Sequence, residues 1–168
     1  MAQGELMSLY LRVYQITKNE DLLKTAKQAY NFLKIDCKDG GVRRLLDNKY
    51  LWFEEYPSKI PSYVLNGFIY TLFGLYDLYR VTENIDIKKD IDDCIITLKE
   101  NIHHFDAGYW SLYDMQNKEL VRYYYQKNVH VPQLKILFKL TNEEIFDKYA
   151  KKWEKQVNWF NFLFVQVM

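Results

Sequence analysis

Three stretches of this chain bring carboxylates, phenols and basic groups close together. The densest is Trp52-Phe53-Glu54-Glu55-Tyr56-Pro57-Ser58, followed by Pro61-Ser62-Tyr63-Val64-Leu65-Asn66-Gly67-Phe68. Two adjacent carboxylates among aromatics are candidates for acid or base work near neutral pH, because apolar surroundings raise a carboxyl pKa. Asn66, inside an apolar run, is placed to hydrogen-bond a ligand, and Trp52 offers an aromatic face. The same residues also fit a surface loop with two solvated glutamates above a core stripe, and the sequence leaves both readings open. The second stretch is Tyr109-Trp110-Ser111-Leu112-Tyr113-Asp114. The third runs from Arg122 through Tyr123-Tyr124-Tyr125 to Gln126-Lys127-Asn128-Val129-His130-Val131-Pro132-Gln133-Leu134. Three consecutive tyrosines are hard to bury together, and a mixed core-and-surface strand competes with a ligand-facing role.

Other chemistries find little support. His103-His104 sit at a helix end, where their charge favours the C-terminus, and they lack the company a metal site needs. Cys37 and Cys94 are far apart and in no ligand spacing, so both are expected to be buried free thiols. No phosphate loop, dinucleotide fingerprint or zinc pattern is present, and no metal or other cofactor is expected. The net charge of +1 argues against a dedicated nucleic-acid binder. With 49% apolar and 27% charged residues, the 168-residue chain has the composition of one ordered domain. Its 15 Tyr, 10 Phe and 4 Trp suit sugar rings and helical cores equally. No N-terminal signal peptide is visible. The apolar run from Asn158 to Met168 is too short to cross a bilayer and reads as a docking tail or the stub of a longer chain.

The elements that must position these stretches are announced by a repeat. Leu9–Asn19, Leu72–Asn84 and Leu134–Asn142 each end in Thr-x-Asn or Thr-Asn, and each is followed by an amphipathic run. Leu22, Leu23, Ala26, Ala29, Tyr30 and Leu33 keep helical spacing, with lysines between. The first helix of each pair is apolar on most faces, as an element buried on two sides would be. The expectation is a mainly all-α fold of helical hairpins over about 2–35, 63–102 and 131–157. The Thr and Asn of each turn are expected to cap the helix that follows. Between the hairpins lie two excursions, Asp36 to Pro61 and Phe105 to Pro132, with strand candidates at Lys49–Glu54 and Gly108–Tyr113. Long loops in compact domains are usually functional, and both excursions leave the same end of their hairpins. That arrangement suggests an α/α toroid, a partial or open α/α barrel with its loops gathered at the mouth.

These stretches together resemble the C-terminal domain of the D-glucuronyl C5-epimerase family. The resemblance starts at Met1-Ala2-Gln3-Gly4 and is most specific from Trp52 to Leu78, with Glu54-Glu55-Tyr56-Pro57, Val64-Leu65-Asn66-Gly67-Phe68 and Gly74-Leu75-Tyr76-Asp77-Leu78. It resumes at Leu112-Tyr113-Asp114, then at His130 with Gln133-Leu134, and fades after Trp153. It implies an α/α barrel whose cleft holds a glucuronate-containing, heparosan-like polysaccharide and whose enzyme turns D-glucuronate into L-iduronate. The family's Glu-Tyr pair falls on Glu55 and Tyr56, and the tyrosine of its Tyr-Asp-Leu motif on Tyr113. A further tyrosine lies four residues before a helix-opening His. His130 matches that His with one extra residue between, so Tyr125 fits best and Tyr124 remains open. Where the family has an Arg three residues after the Tyr113 equivalent, this chain has Gln116, and Arg122 is the candidate to compensate.

On this resemblance the catalytic residues are Glu55, Tyr56, Tyr113 and Tyr125, expected to converge on one cleft. Trp52, Asn66, Arg122, Lys127 and His130 are the substrate contacts. Arg122, Lys127 and Lys49 are the cations that would depress a tyrosine pKa. A uronate-containing polysaccharide is the expected partner, without nucleic acid or membrane insertion, and a homodimer is a possible assembly. The resemblance also implies an N-terminal β-rich portion that this chain lacks, residues 1–157 being the helical domain and 158–168 a tail. The sequence leaves the compartment open, the Golgi lumen being that of eukaryotic relatives. A non-catalytic glycan-binding or assembly module is the competing reading. A polysaccharide lyase is a third, because lyases also begin by abstracting the C5 proton.

Overall fold

A computed structural model describes residues 1–167, with side chains through Leu163; Met168, the last residue of the apolar tail, lies outside the described residues. The chain is mainly α-helical, with one small antiparallel hairpin. It divides into an N-terminal unit, Met1–Leu98, and a C-terminal unit, Lys99–Met168.

The N-terminal unit opens with α1 (Ala2–Thr17) and α2 (Glu20–Leu33) and continues, after the hairpin, with α3 (Leu65–Thr82) and α4 (Ile85–Asn101), whose last turn enters the C-terminal unit. The C-terminal unit then holds a single helical turn α5 (Tyr123–Tyr125), a π-helical turn (Gln126–His130), α6 (Val131–Thr141), α7 (Glu144–Gln156) and α8 (Trp159–Val167). The helical pairs end close to the sequence expectation, and the reason is local. Thr17, Thr82 and Thr141 each donate the side-chain hydroxyl to the carbonyl four residues back, at Val13, Leu78 and Leu137. The next residue, Lys18, Glu83 or Asn142, is left-handed, with φ of 58°, 51° and 57°. Its N–H returns to the carbonyl of Tyr14, Tyr79 or Phe138. This is a left-handed helix stop built three times. Asn19 and Asn84 then accept the N–H of Asp21 and Asp86, capping α2 and α4. The expected division of labour is therefore corrected: the threonines mainly close the first helix, Asn19 and Asn84 start the second, and in the third pair Asn142 is itself the left-handed stop, with Glu143 before α7 making no side-chain cap.

α3 carries buried residues on most of its surface, from Leu65 and Phe68 to Leu75 and Leu78, and is the central rod of its unit. α1 differs from the expectation: only Gly4, Met7 and Leu11 are buried, and Leu9 and Ile16 face outward. α1 and α3 touch backbone to backbone, since a β-carbon on Gly74 would stand 2.5 Å from the Gly4 carbonyl oxygen. Only glycine permits that approach.

The first excursion folds as β1 (Arg43–Leu46) and β2 (Tyr50–Phe53), paired antiparallel from Arg43↔Phe53 to Leu46↔Tyr50. Asp47 and Asn48 turn the hairpin with φ of 52° and 55°, a region that Asp and Asn enter at low cost. Buried Asp90 of α4 accepts from Tyr30 Oη at 3.0 Å and Arg43 Nη2 at 2.9 Å, fastening β1 to α2 and α4. Thr97 adds a hydroxyl bond of 2.9 Å to the Leu51 carbonyl.

The second strand candidate is not a strand. Gly108–Tyr113 makes only single bridges, Asp106↔Ser111 and Leu112↔Leu120. Its backbone groups are satisfied otherwise: the Ser111 N–H donates to Gln126 Oε1 at 2.8 Å and the Tyr113 N–H to the Glu119 carbonyl at 2.7 Å. Cys94 is fully buried, as expected, but Cys37 is half-buried with its sulfur 3.4 Å from Arg44 Nε. The run from Asn158 forms α8, with exposed Trp159, Phe160 and Leu163 and with Phe162 edge-on to Tyr123 at 4.9 Å. No helix among the described residues is long and apolar enough to cross a membrane.

Candidate active site

In the N-terminal unit the two adjacent glutamates end the hairpin and part company. Glu54 is buried at 2% exposure. It accepts from Ser62 Oγ at 2.9 Å and the Tyr63 N–H at 3.1 Å, and Arg44 Nε lies 3.3 Å away. Burial holds its pKa above the usual carboxylate value, although Ser62, the Tyr63 backbone and Arg44 pull it down. Both hydrogen bonds fall on Oε2 and close the Ser58–Tyr63 loop, while buried Oε1 has the Arg44 ion pair and no hydrogen bond.

Glu55 points the other way, against the first turn of α3. A β-carbon on Gly67 would stand 2.3 Å from Glu55 Oε2 and 3.0 Å from its Cβ. Gly67 therefore makes the berth in which this carboxylate lies, and Oε2 is buried there without a hydrogen-bond partner. Beside it is a cavity of about 120 Å³ lined by Phe53, Glu54, Glu55 and Thr71. This acceptor at a helix start, next to open space, has an unfilled bond, and the Met1 ammonium, which also lines the cavity, feels its charge. Tyr56 follows on the surface at 56% exposure. Asn66 is buried in the same turn, its Nδ2 3.6 Å from Met1 Sδ. Trp52 is fully buried and stacked on Phe68 at 4.1 Å, so this aromatic is the floor under the loop and not a face open to ligand.

In the C-terminal unit the structure brings together Tyr113, Tyr125 and His130. The Tyr113 and Tyr125 rings meet edge to face at 5.9 Å, and Tyr125 meets His130 at 5.3 Å. Tyr125 and His130 are five residues apart. On an α-helix that spacing sends side chains to different faces, whereas a π-helical turn, with its i to i+5 bonding, stacks them. Gln126–His130 is such a turn. The extra residue seen in the sequence is thus absorbed by the π turn, and Tyr125 has the position over His130. Tyr124 is 63% exposed and packs on Tyr123.

His130 is fully buried, and burial lowers its pKa to about 3, so the ring is neutral. Its Nδ1 meets Ser111 Oγ at 2.9 Å, while Nε2 has no hydrogen-bond partner. The turn is held from below by buried Gln126, whose Oε1 accepts from Ser111 and whose Nε2 donates to the Trp153 carbonyl at 2.9 Å. Nothing in the local pattern points to this Gln126 support, because a lone Gln in a polar stretch looks solvated. Arg122 and Lys127 are exposed at either end of the Tyr125 turn, and Gln116 is exposed on the Asp114 turn. Exposed His103 and His104 lie against each other with ring centroids 3.9 Å apart and planes tilted by 41°. No group of His, Cys, Asp and Glu suited to a metal ion occurs among the described residues.

The sequence profile described as D-glucuronyl C5-epimerase C-terminus matches residues 1–155. A D-glucuronyl C5-epimerase of Caenorhabditis elegans is 33% identical over 171 aligned residues, covering 91% of this chain and 27% of the relative. An uncharacterized protein of Methanocaldococcus jannaschii is 36% identical over 155 residues, covering 90% of this chain and 49% of the relative. The chain thus spans between about a quarter and about half of the length of these relatives. With nearly its whole helical sequence matched, this chain belongs to the D-glucuronyl C5-epimerase C-terminal family.

Proposed function

We propose that the chain supplies the acid–base residues of a uronate C5-epimerase acting on a glucuronate-containing, heparosan-like polysaccharide. The observation that supports this most is the Tyr113–Tyr125 pair, set by the π turn over a neutral, buried His130. A five-residue spacing made to stack by a local departure from α-helix is more than core packing requires, and π turns frequently mark functional sites.

The reaction removes the C5 proton, which lies α to a carboxylate, and returns a proton to the opposite face. The Glu55 carboxylate takes the C5 proton, and the electron pair left behind moves into the uronate carboxylate as an enolate. Tyr125 donates its phenolic proton to the other face of C5, and exchange with water restores both groups. Tyr113 supports that transfer or the enolate charge. Tyr56 and Asn66 serve the Glu55 side, while Arg122 and Lys127 supply positive charge for the uronate carboxylate and the phenolate. No cofactor enters this scheme.

Incubation of the protein with a glucuronate polymer in heavy water should place deuterium at C5. Glu55→Gln and Tyr125→Phe should each lower that exchange about 10²–10⁴-fold, with polymer affinity nearly unchanged. Exchange at the parental rate in either variant would remove that residue from the mechanism. Gln116, standing exposed where the family has an arginine, favours the binding-module reading. A parent that binds glycan without exchange would establish it, and an unsaturated, ultraviolet-absorbing product would instead make the protein a lyase.

A further inference from the structure

The proposed chemistry leaves the outward face of α7 unexplained. Lys148, Lys151, Lys152 and Lys155 occupy positions i, i+3, i+4 and i+7, which form one face of a helix. They line one side of a groove of about 580 Å³. The opposite face of α7 buries Phe146, Ala150 and Trp153 in the core, so the lysines are presented on a rigid backing. Lys151 pairs with Asp147 at 2.5 Å and Lys152 with Asp106. Lys148 and Lys155 have no acidic partner among the described residues, which leaves uncompensated positive charge at both ends of the stripe, about 10 Å apart along the helix.

The other side of the groove is Tyr109, 47% exposed. It sits in a tight turn in which Gly108 has φ 91° and the Gly108 N–H donates to Asp106 Oδ1 at 2.9 Å. Its neighbour Trp110 is wholly buried and donates Nε1 to the Val121 carbonyl at 2.6 Å. Trp110 anchors the turn inward and leaves Tyr109 outward. Two links tie the turn to α7: the Lys152–Asp106 ion pair and a 3.0 Å bond from Gln156 Nε2 to the Gly108 carbonyl. At the far end Asn161 donates to the Gln156 carbonyl at 2.8 Å, which fixes the start of α8 as the groove's end wall.

We propose that this groove is a second binding site, one that holds an acidic stretch of the polysaccharide with Lys148 and Lys155 on two of its anionic groups and Tyr109 against a sugar ring. The cation pair asks for a ligand with repeated negative charge, and the held aromatic face asks for a ring. A uronate polymer supplies both. Its identity as the polymer rests on the proposed function; the site itself rests on the groove. Such a site would hold the chain between turnovers, so its contribution grows with polymer length.

The test uses an unsulfated glucuronate–N-acetylglucosamine polymer, a short oligosaccharide of it, and inorganic tripolyphosphate. The double variant Lys148→Gln/Lys155→Gln should bind the polymer roughly tenfold more weakly and raise KM on the polymer. It should leave kcat and short-oligosaccharide exchange unchanged. Tyr109→Ala should weaken polymer binding and leave tripolyphosphate binding unaltered. On the unmodified protein, the polymer should protect Lys148 and Lys155 from acetylation, a readout that does not depend on any variant folding. Parental polymer affinity in the double variant, or equal losses for glycan and tripolyphosphate in Tyr109→Ala, overturns the proposal. Tyr125→Phe should lower exchange about 10²–10⁴-fold and keep this binding, so the two readings fail separately.

Discussion

The loop from Trp52 to Gly67 and the turn from Tyr113 to His130 hold their titratable side chains by different means. In the first, two chemically identical neighbours are sorted by what surrounds them. Glu54 meets Arg44, Ser62 and the Tyr63 N–H, whereas Glu55 meets the backbone of Gly67, a cavity and the charge of the Met1 ammonium; each keeps one buried oxygen without a hydrogen bond. In the second, no charge is compensated. The phenols are placed by a change of helical pitch over a neutral imidazole and a buried amide. A carboxylate can be aimed by excluding its alternatives, because it carries strong acceptors that any donor would capture. A phenol is aimed through its ring, because the ring carries most of its packing energy.

The sharpest way to break this contrast is Gly67→Ala. The new methyl overlaps Glu55 Oε2 and crowds Glu55 Cβ at 3.0 Å, so the carboxylate moves and its stem gives by a few tenths of an ångström while the helix survives. C5 exchange should fall by about 10²-fold or more, with an unchanged or slightly higher melting temperature, since alanine favours a helix over glycine. A parental exchange rate would show that the Gly67 berth does not matter. Next in size is Gln126→Leu. It strips the partners from the Ser111 N–H and the Trp153 carbonyl and should cost about 1–3 kcal/mol for each polar group left buried. Chemical denaturation measures it, and a loss below that range would mean that packing alone holds the π turn.

A smaller effect follows from His130. Its folded pKa of about 3 lies below the ordinary value near 6.5, so below pH 6.5 the unfolded chain binds a proton that the folded one refuses. Stability is therefore complete above pH 6.5 and should decline as pH falls, by up to about 1.4 kcal/mol per unit. Denaturation between pH 7 and 5, above most carboxylate titration, reads the slope; it should flatten in His130→Gln. The smallest effect separates the adjacent tyrosines. Exposed Tyr124→Phe should change stability by less than about 0.5 kcal/mol and leave C5 exchange intact, unlike Tyr125→Phe. Equal losses in the two variants would make the π-turn register irrelevant to catalysis.

The helical pairs were readable because their signals are local. Thr17, Thr82 and Thr141 bond within four residues of themselves, and Asn19 and Asn84 within two, so the repeat in sequence is the repeat in structure. The family membership was readable for the same kind of reason, since Glu54-Glu55-Tyr56-Pro57 and Leu112-Tyr113-Asp114 are contiguous strings. The strand expected at Gly108–Tyr113 failed because Gln126, 15 residues further on, takes the Ser111 N–H that a strand partner would have used.

What the sequence determined by itself is therefore whatever short-range bonding controls: helix stops, caps, the Asp47–Asn48 turn and the pattern of apolar stripes. The tertiary structure alone decided that Glu54 turns to Arg44 and Ser62 while Glu55 turns to Gly67, that Trp52 lies under the loop and not at its surface, and that Tyr125 holds the place over His130. Each of these depends on a partner brought from elsewhere in the chain or on a change of helical pitch: Arg44 for Glu54, Gly67 for Glu55, Phe68 for Trp52, and the π turn for Tyr125. A side chain's chemistry is written at its own position. Its burial and its bonds are set by the residues that the fold packs against it.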